Sequence, residues 1–199
     1  MIRKLIRGCA WLVGAAVALP LAILVWILSP FTKDSTFASV SQFLSLFPGT
    51  PGNYLRQAFY WMVCESPWPG PLVTFGTTIA QRDTSFGARA YVGAGCNLGR
   101  CHIGDNTMLG SGVHVASRLA HSFEDSEVPI GQQQGTINKV TIGANCWIGN
   151  ASVILADLAD GVVVGAGSVV TKACEPNGVY AGNPARLVKS RVPTITRSE

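Results

Sequence analysis

Three histidines, His102, His114 and His121, are the side chains best suited to move a proton near neutral pH. Their settings differ. His121 lies in residues 116–139, a stretch with none of the periodicity that surrounds it, and a loop of that length inside a compact domain is usually functional. Glu124, Asp125 and Glu127 follow closely, and they read equally as partners for the imidazole or as a solvated acidic loop. His114 and Asn97 each close a six-residue unit and stand three units apart. On a three-sided coil their side chains stack on one outer face, about 4.8 Å apart as neighbouring strands are. His102 sits beside Ile103 in a shortened unit, where a structural role is expected.

The element that must position these residues is a repeat. From Val140 to Val170 the chain reads VTIGANCWIGNASVILADLADGVVVGAGSVV. Ile142, Ile148 and Ile154 fall six residues apart, and Val164 and Val170 resume that step after a stretch two residues short of register. Upstream, Val73, Ile79, Phe86, Val92, Leu98, Ile103, Leu109 and Val115 keep nearly the same step. This period fits neither an isolated helix nor an alternating strand, and it predicts a mainly β fold, a parallel β-helix of hexapeptide repeats. Each apolar residue points into a narrow prism. The glycine directly after many of them is read as serving the corners, where torsions are awkward for a residue with a Cβ. Gly93-Ala94-Gly95 and Gly165-Ala166-Gly167 are punctuation of the same kind, since no strand-to-helix unit surrounds them.

Around that coil the chain of 199 residues divides into four parts. Residues 1–34 read as a hydrophobic membrane anchor, 35–66 as an amphipathic helical linker, 67–175 as the β-helix with loop 116–139 inserted, and 176–199 as a C-terminal loop and basic tail. Gly8 to Leu28 carries no charge, long enough as a helix to cross a bilayer core. Arg3, Lys4 and Arg7 favour a cytoplasmic N-terminus, which with a straight span would put the coil outside. Pro20 sits mid-run, so a helix-break-helix that returns to the same face is an alternative. Phe37, Val40, Phe43, Leu44 and Phe47 repeat at helical spacing, as an interface-lying or a core-packing helix would.

Composition narrows the class. The chain is 48% hydrophobic and 13% charged with a net charge of +4, too apolar for disorder and without a nucleic-acid face. Its basic residues cluster at the two ends, as local anion sites would. None of the six cysteines forms a C-x-x-C. Cys96, Cys146 and Cys174 each follow an apolar repeat position by four residues, a slot that elsewhere holds Thr107, Val113, Ser152 and Ser168. Free, buried, structural thiols are expected.

IGANCWIG, VVGAGSVVTK and AGNPARLVKSR, with NLGRCHIGDN and SRLAHSF upstream, resemble the hexapeptide-repeat O-acetyltransferases that include galactoside, maltose and colanic-acid acetyltransferases. The resemblance spans about Val73 to Arg191. It implies a left-handed coil, a homotrimer with active sites between subunits, and acetyl-CoA as co-substrate, with no metal. It makes His121 the general base and gives Asn97 the place of an asparagine that holds the reacting groups, with His114 beside them. Trp147, Gly149 and Asn150 match a segment at the acyl end of the donor, the Asn150 N–H being a candidate oxyanion donor. Gly167, Thr171, Lys172, Arg186 and Lys189 fall in donor-contacting motifs, basic side chains suiting the coenzyme's phosphates.

The expected function is acetyl transfer to a hydroxyl of a saccharide, a polysaccharide or lipid-linked glycan precursor, at the inner membrane. Because acetyl-CoA is cytosolic, a kinked, re-entrant or surface-lying anchor with the coil facing the cytoplasm is favoured. Two alternatives stand beside it. One is a tethered, non-catalytic β-helix scaffold. The other is a zinc enzyme like the γ-carbonic anhydrases, disfavoured because His114 and His121 are seven apart and His102 falls on another side of the coil.

Overall fold

The computed structural model describes residues 2–116, 118–121, 125–133 and 135–191. Three helices, α1 (Ile2–Thr32), α2 (Ser35–Ser45) and α3 (Gly49–Val63), lead into a coil of very short strands. The first face stacks β1 (Leu72–Val73), β4 (Tyr91–Val92), β7 (Met108–Leu109), β12 (Trp147–Ile148), β14 (Val163–Val164), β16 (Gly178–Gly182) and β17 (Ala185–Ser190). The second stacks β2 (Thr78–Ile79), β5 (Asn97–Leu98), β8 (His114–Val115), β13 (Val153–Ile154) and β15 (Val169–Val170). The third holds β3 (Ser85–Phe86), β6 (Cys101–Ile103) and β11 (Val140–Ile142). Between β8 and β11 the chain leaves the coil as a hairpin of β9 (Arg118–His121) and β10 (Gly135–Asn138). Pairing within each face is parallel apart from β16 with β17.

The six-residue step works because a two-residue strand has one inward side chain, which must meet its copy in the next coil. All thirteen repeat residues from Val73 to Val170 are at most 3% exposed. Each buried aliphatic contributes roughly 1.5–3 kcal/mol. The stretch that is two residues short does not lose a rung. Leu158, only four residues after Ile154, takes the third-face position through single bridges to Ile142 and Cys174. Cys174, four after Val170, repeats that short step and occupies a rung itself, not the small slot assigned to it from sequence. The slot is real elsewhere: the Thr107 hydroxyl donates to Gly143 O at 2.7 Å, and the Cys146 thiol to Ala159 O at 3.2 Å. All six cysteines are free, and burial raises the pKa of Cys101 to about 12 and that of Cys174 to about 11.

The glycines after the rungs have a different cause from the one expected. Gly149 does not sit in the left-handed region; a Cβ there would collide with the backbone nitrogen of Ala166 in the next coil. The corner torsions fall two residues later, as at Gly167 with φ +67°. Residues 176–199, read as loop and tail, contribute two strands, β16 extending the first face and β17 folding back on it.

The helices close one end of the coil, where bare strand edges would otherwise stand. Buried Arg56 of α3 donates to Leu44 O and Phe47 O from Nη1, to Val73 O from Nε and to Asn53 Oδ1 from Nη2, at 2.7–2.9 Å. One guanidinium thus ties α2, α3 and β1, and burial lowers its pKa. Ser41 Oγ accepts the Ile79 N–H at 2.8 Å and bonds the buried Tyr60 hydroxyl, whose pKa burial raises. On α2, Phe37, Val40 and Leu44 pack inward while Phe43, and Phe47 just beyond the helix, remain exposed, so the segment has both characters at once.

α1 is continuous through Pro20 and Pro30, and the break considered from sequence is absent. By length and composition Leu5–Thr32, with mean hydropathy 2.5, is apolar enough to cross a membrane. Its small face packs on the other helices: Ala18, Ala22 and Val25 are buried, and Gly14 lies against the Tyr54 carbonyl. Its large face, including Leu12, Val13, Val17, Ile27 and Phe31, is uncovered.

Candidate active site

Asn97 and His114 pair in register on the second face, and both point outward. The outward position of a two-residue strand leaves the core, so these side chains are free of packing duty. Asn97 Nδ2 donates to Thr78 Oγ1 at 3.3 Å in the preceding coil. Directly after His114 the chain departs into the β9–β10 hairpin, in which His121 pairs with Gly135 at the end of the ladder. The His121 side chain and Glu124 lie outside the described residues. Asp125 and Glu127 are exposed, Asp125 Oδ1 capping the Glu127 N–H at 2.9 Å.

The hairpin returns through Lys139. Its Nζ donates to Asp83 O at 2.8 Å and to Ser85 Oγ at 2.9 Å, and that hydroxyl shares a hydrogen bond with His102 Nδ1 at 2.9 Å. Burial first, and then the charge of Lys139, lowers the His102 pKa, while Glu65 and Asp105 oppose the shift. His102 lies on the third face, so it does not converge with His114.

The donor-matching residues fall in two groups. Trp147 stands outward on the first face, 58% exposed, in a row with Leu72, Tyr91 and Met108. Gly149 and Asn150 turn the corner from the first face to the second, and Asn150 O accepts the Gly167 N–H of the next coil at 2.8 Å. Asn150 Oδ1 accepts the Ser111 N–H at 3.0 Å, and among the described residues nothing accepts the N–H of Asn150 itself. Thr171 and Lys172 lie at the far end of the second face. Lys172 and Arg186, both in the basic cluster read from sequence as an anion site, line one cleft of about 290 Å³ with Tyr180. Lys189 is exposed on β17 opposite Val179. Within one chain, then, Trp147 and the Asn97–His114 pair occupy adjacent faces, and Asn150 and Lys172 occupy different corners.

A three-sided parallel coil of six-residue rungs, interrupted once by a histidine-bearing hairpin, defines the hexapeptide-repeat class. Residues 139–172 match the family model described as the hexapeptide repeat of succinyl-transferase. The galactoside O-acetyltransferase of Escherichia coli K12 is 33% identical over 138 residues, 64% of this chain, and the chain spans 62% of that relative's length. A maltose O-acetyltransferase from Clostridium difficile 630 superposes with a TM-score of 0.70 at 26% identity, over 80% of this chain and 87% of that one. A galactoside acetyltransferase solved with coenzyme A shares the fold, with a TM-score of 0.61 at 23% identity over 80% and 81%. The chain is similar to hexapeptide-repeat O-acetyltransferases, and its parallel coil fits the left-handed β-helix that the resemblance implied.

Proposed function

We propose that this chain transfers acetyl from acetyl-CoA to a sugar hydroxyl, with His121 as general base. The observation that carries the reading is the hairpin leaving the coil beside the paired Asn97 and His114. His121 takes the proton of the acceptor hydroxyl, and the oxygen attacks the thioester carbonyl. The Asn150 N–H receives the oxyanion of the tetrahedral intermediate. Collapse expels the coenzyme A thiolate, which takes the proton back from the imidazolium. Lys172 and Arg186 bind phosphates of the donor, a task their shared cleft suits, with Lys189 and Thr171 nearby in sequence. The acetylated sugars named in its relatives motivate the saccharide acceptor.

The separation of these residues over two faces favours a site completed by a second copy, and we propose a homotrimer. The exposed row of Leu72, Tyr91, Met108 and Trp147 supplies an apolar strip for that contact. We further propose that α1 lies along the membrane with the coil in the cytoplasm. A crossing α1 would drag α2, α3 and the polar groups around Arg56 into hydrocarbon, because α1 packs against both helices.

The decisive experiment replaces His121 with Ala and measures acetyl transfer to sugar acceptors. We expect a loss of at least about 10²–10⁴-fold in kcat with an unchanged thermal midpoint. Activity within a few-fold of the parent removes His121 as the base.

A further inference from the structure

A groove runs beside the crossing of α1 with the α2–α3 turn, at the opposite end from the Lys172–Arg186 cleft. It encloses about 510 Å³ between Ala10, Val13 and Val17 of α1 and Phe47, Pro51 and Leu55 opposite, with no charged residue in its wall among the described residues. Two glycines in its wall let backbones touch. A Cβ on Gly14 would stand 2.9 Å from Tyr54 O, and one on Gly52 would collide with Phe47 O. A second cavity of about 560 Å³ abuts the groove, sharing Thr50 and Tyr54.

This second cavity has a different chemistry. Arg7, Asn53 and Gln57 line it beside Trp11 and Trp68, and among the described residues Arg7 is the one charge in either lining. The first turn of α3, which contributes Thr50, has no side-chain cap and no acidic residue, so its end of the helix dipole favours an anion. Trp11 donates from Nε1 to Pro69 O at 3.1 Å and packs edge-on against Trp68, a tryptophan pair of the kind found where hydrocarbon meets headgroups. Val13 and Val17 are 65% and 57% exposed, so the groove opens directly onto the uncovered apolar face of α1.

We propose that groove and cavity together hold one anionic phospholipid. Its acyl chain lies between α1 and the α2–α3 turn, and its phosphate sits at Arg7 and the first turn of α3. An apolar slot continuous with a bilayer-facing surface takes a chain, and the Arg7 cation at its polar end selects a negative headgroup over a neutral one. The bound lipid fixes the helices that cap the coil, making the membrane part of the fold. The proposal rests on the membrane-lying reading of α1 and is independent of the acetyl-transfer reading.

The test uses the full-length protein on vesicles of phosphatidylcholine, with or without phosphatidylglycerol, doped with a phospholipid carrying a diazirine in its acyl chain. The phosphatidylglycerol probe should label residues 10–17 and 47–55. Arg7→Gln should cut labelling of 47–55 by about tenfold, the loss of one charge-assisted contact. Ala10→Phe, which fills the groove, should do the same without reducing flotation. Labelling confined to the outer face of α1 overturns this proposal alone, as do equal labelling by a phosphatidylcholine probe and crosslinks between copies at 47–55. Failure to float with either vesicle overturns the membrane-lying reading as well. Should Ala10→Phe misfold, Arg7→Gln, an exposed position, carries the test.

Discussion

Asn97 and His114 stand side by side on consecutive coils of one sheet, their Cα positions in register though 17 residues separate them in sequence. Both project from the coil where the β9–β10 hairpin departs, and neither contributes to the core. Replacing either should therefore change catalysis without changing stability. Asn97→Ala is expected to lower kcat/KM by about 10²-fold, and His114→Ala by about tenfold, with thermal midpoints held. A loss in His114→Ala larger than that in His121→Ala would transfer the role of base to His114.

Lys172 and Arg186 share a cleft and are exposed, so each should act on donor binding only. Lys172→Ala or Arg186→Ala should raise KM for acetyl-CoA about tenfold with kcat little changed. Titrating salt in the parent should reproduce part of that effect. Steady-state kinetics with varied donor reads both.

Gly149 and Gly167 separate two physical causes. Gly149→Ala pushes a methyl into the backbone of the next coil, which must part or shift, so a loss of about 2–4 kcal/mol is expected. Gly167→Ala meets no atom within 4 Å and is penalised only by its φ of +67°, about 1 kcal/mol. Thermal or denaturant unfolding should rank them in that order.

His102 makes stability depend on pH. Its folded pKa lies below the ordinary value of 6.5 because burial and Lys139 disfavour the imidazolium, against the opposing pull of Glu65 and Asp105. The unfolded chain then binds the proton more readily, so stability is full above about 6.5 and falls as pH drops through that value toward the folded one. His102→Gln should flatten this part of the profile. Comparing denaturant midpoints of parent and variant between neutral and mildly acidic pH isolates it from the carboxylates.

The coil was legible because its physics is local and repeated. Ile142, Ile148 and Ile154 had to face one axis, and any chain with that period must wind so that they do. Leu158 and Cys174 escaped because the short step of four residues hides a rung inside what reads as a lapse. Gly149 was noticed for the wrong reason, since a clash between coils leaves no mark in a single repeat. Arg56 gave a faint signal, a cation within an apolar helical face. Its three carbonyl acceptors lie on α2, the turn after it and β1, and only packing gathers them.

By itself the sequence determined the three-sided core, the place where the coil is interrupted, and the polar side chains left outside the core. A six-residue hydrophobic period leaves the chain no other way to bury its aliphatics. The same period already placed Asn97 beside His114, whereas tertiary structure decided which more distant residues meet: Lys172 beside Arg186, and α1 against α3 with a groove between them. Those neighbours come from different coils and helices, and their meeting depends on how coils stack and where the helices dock. That is a matter of shape and backbone contact which no local pattern encodes.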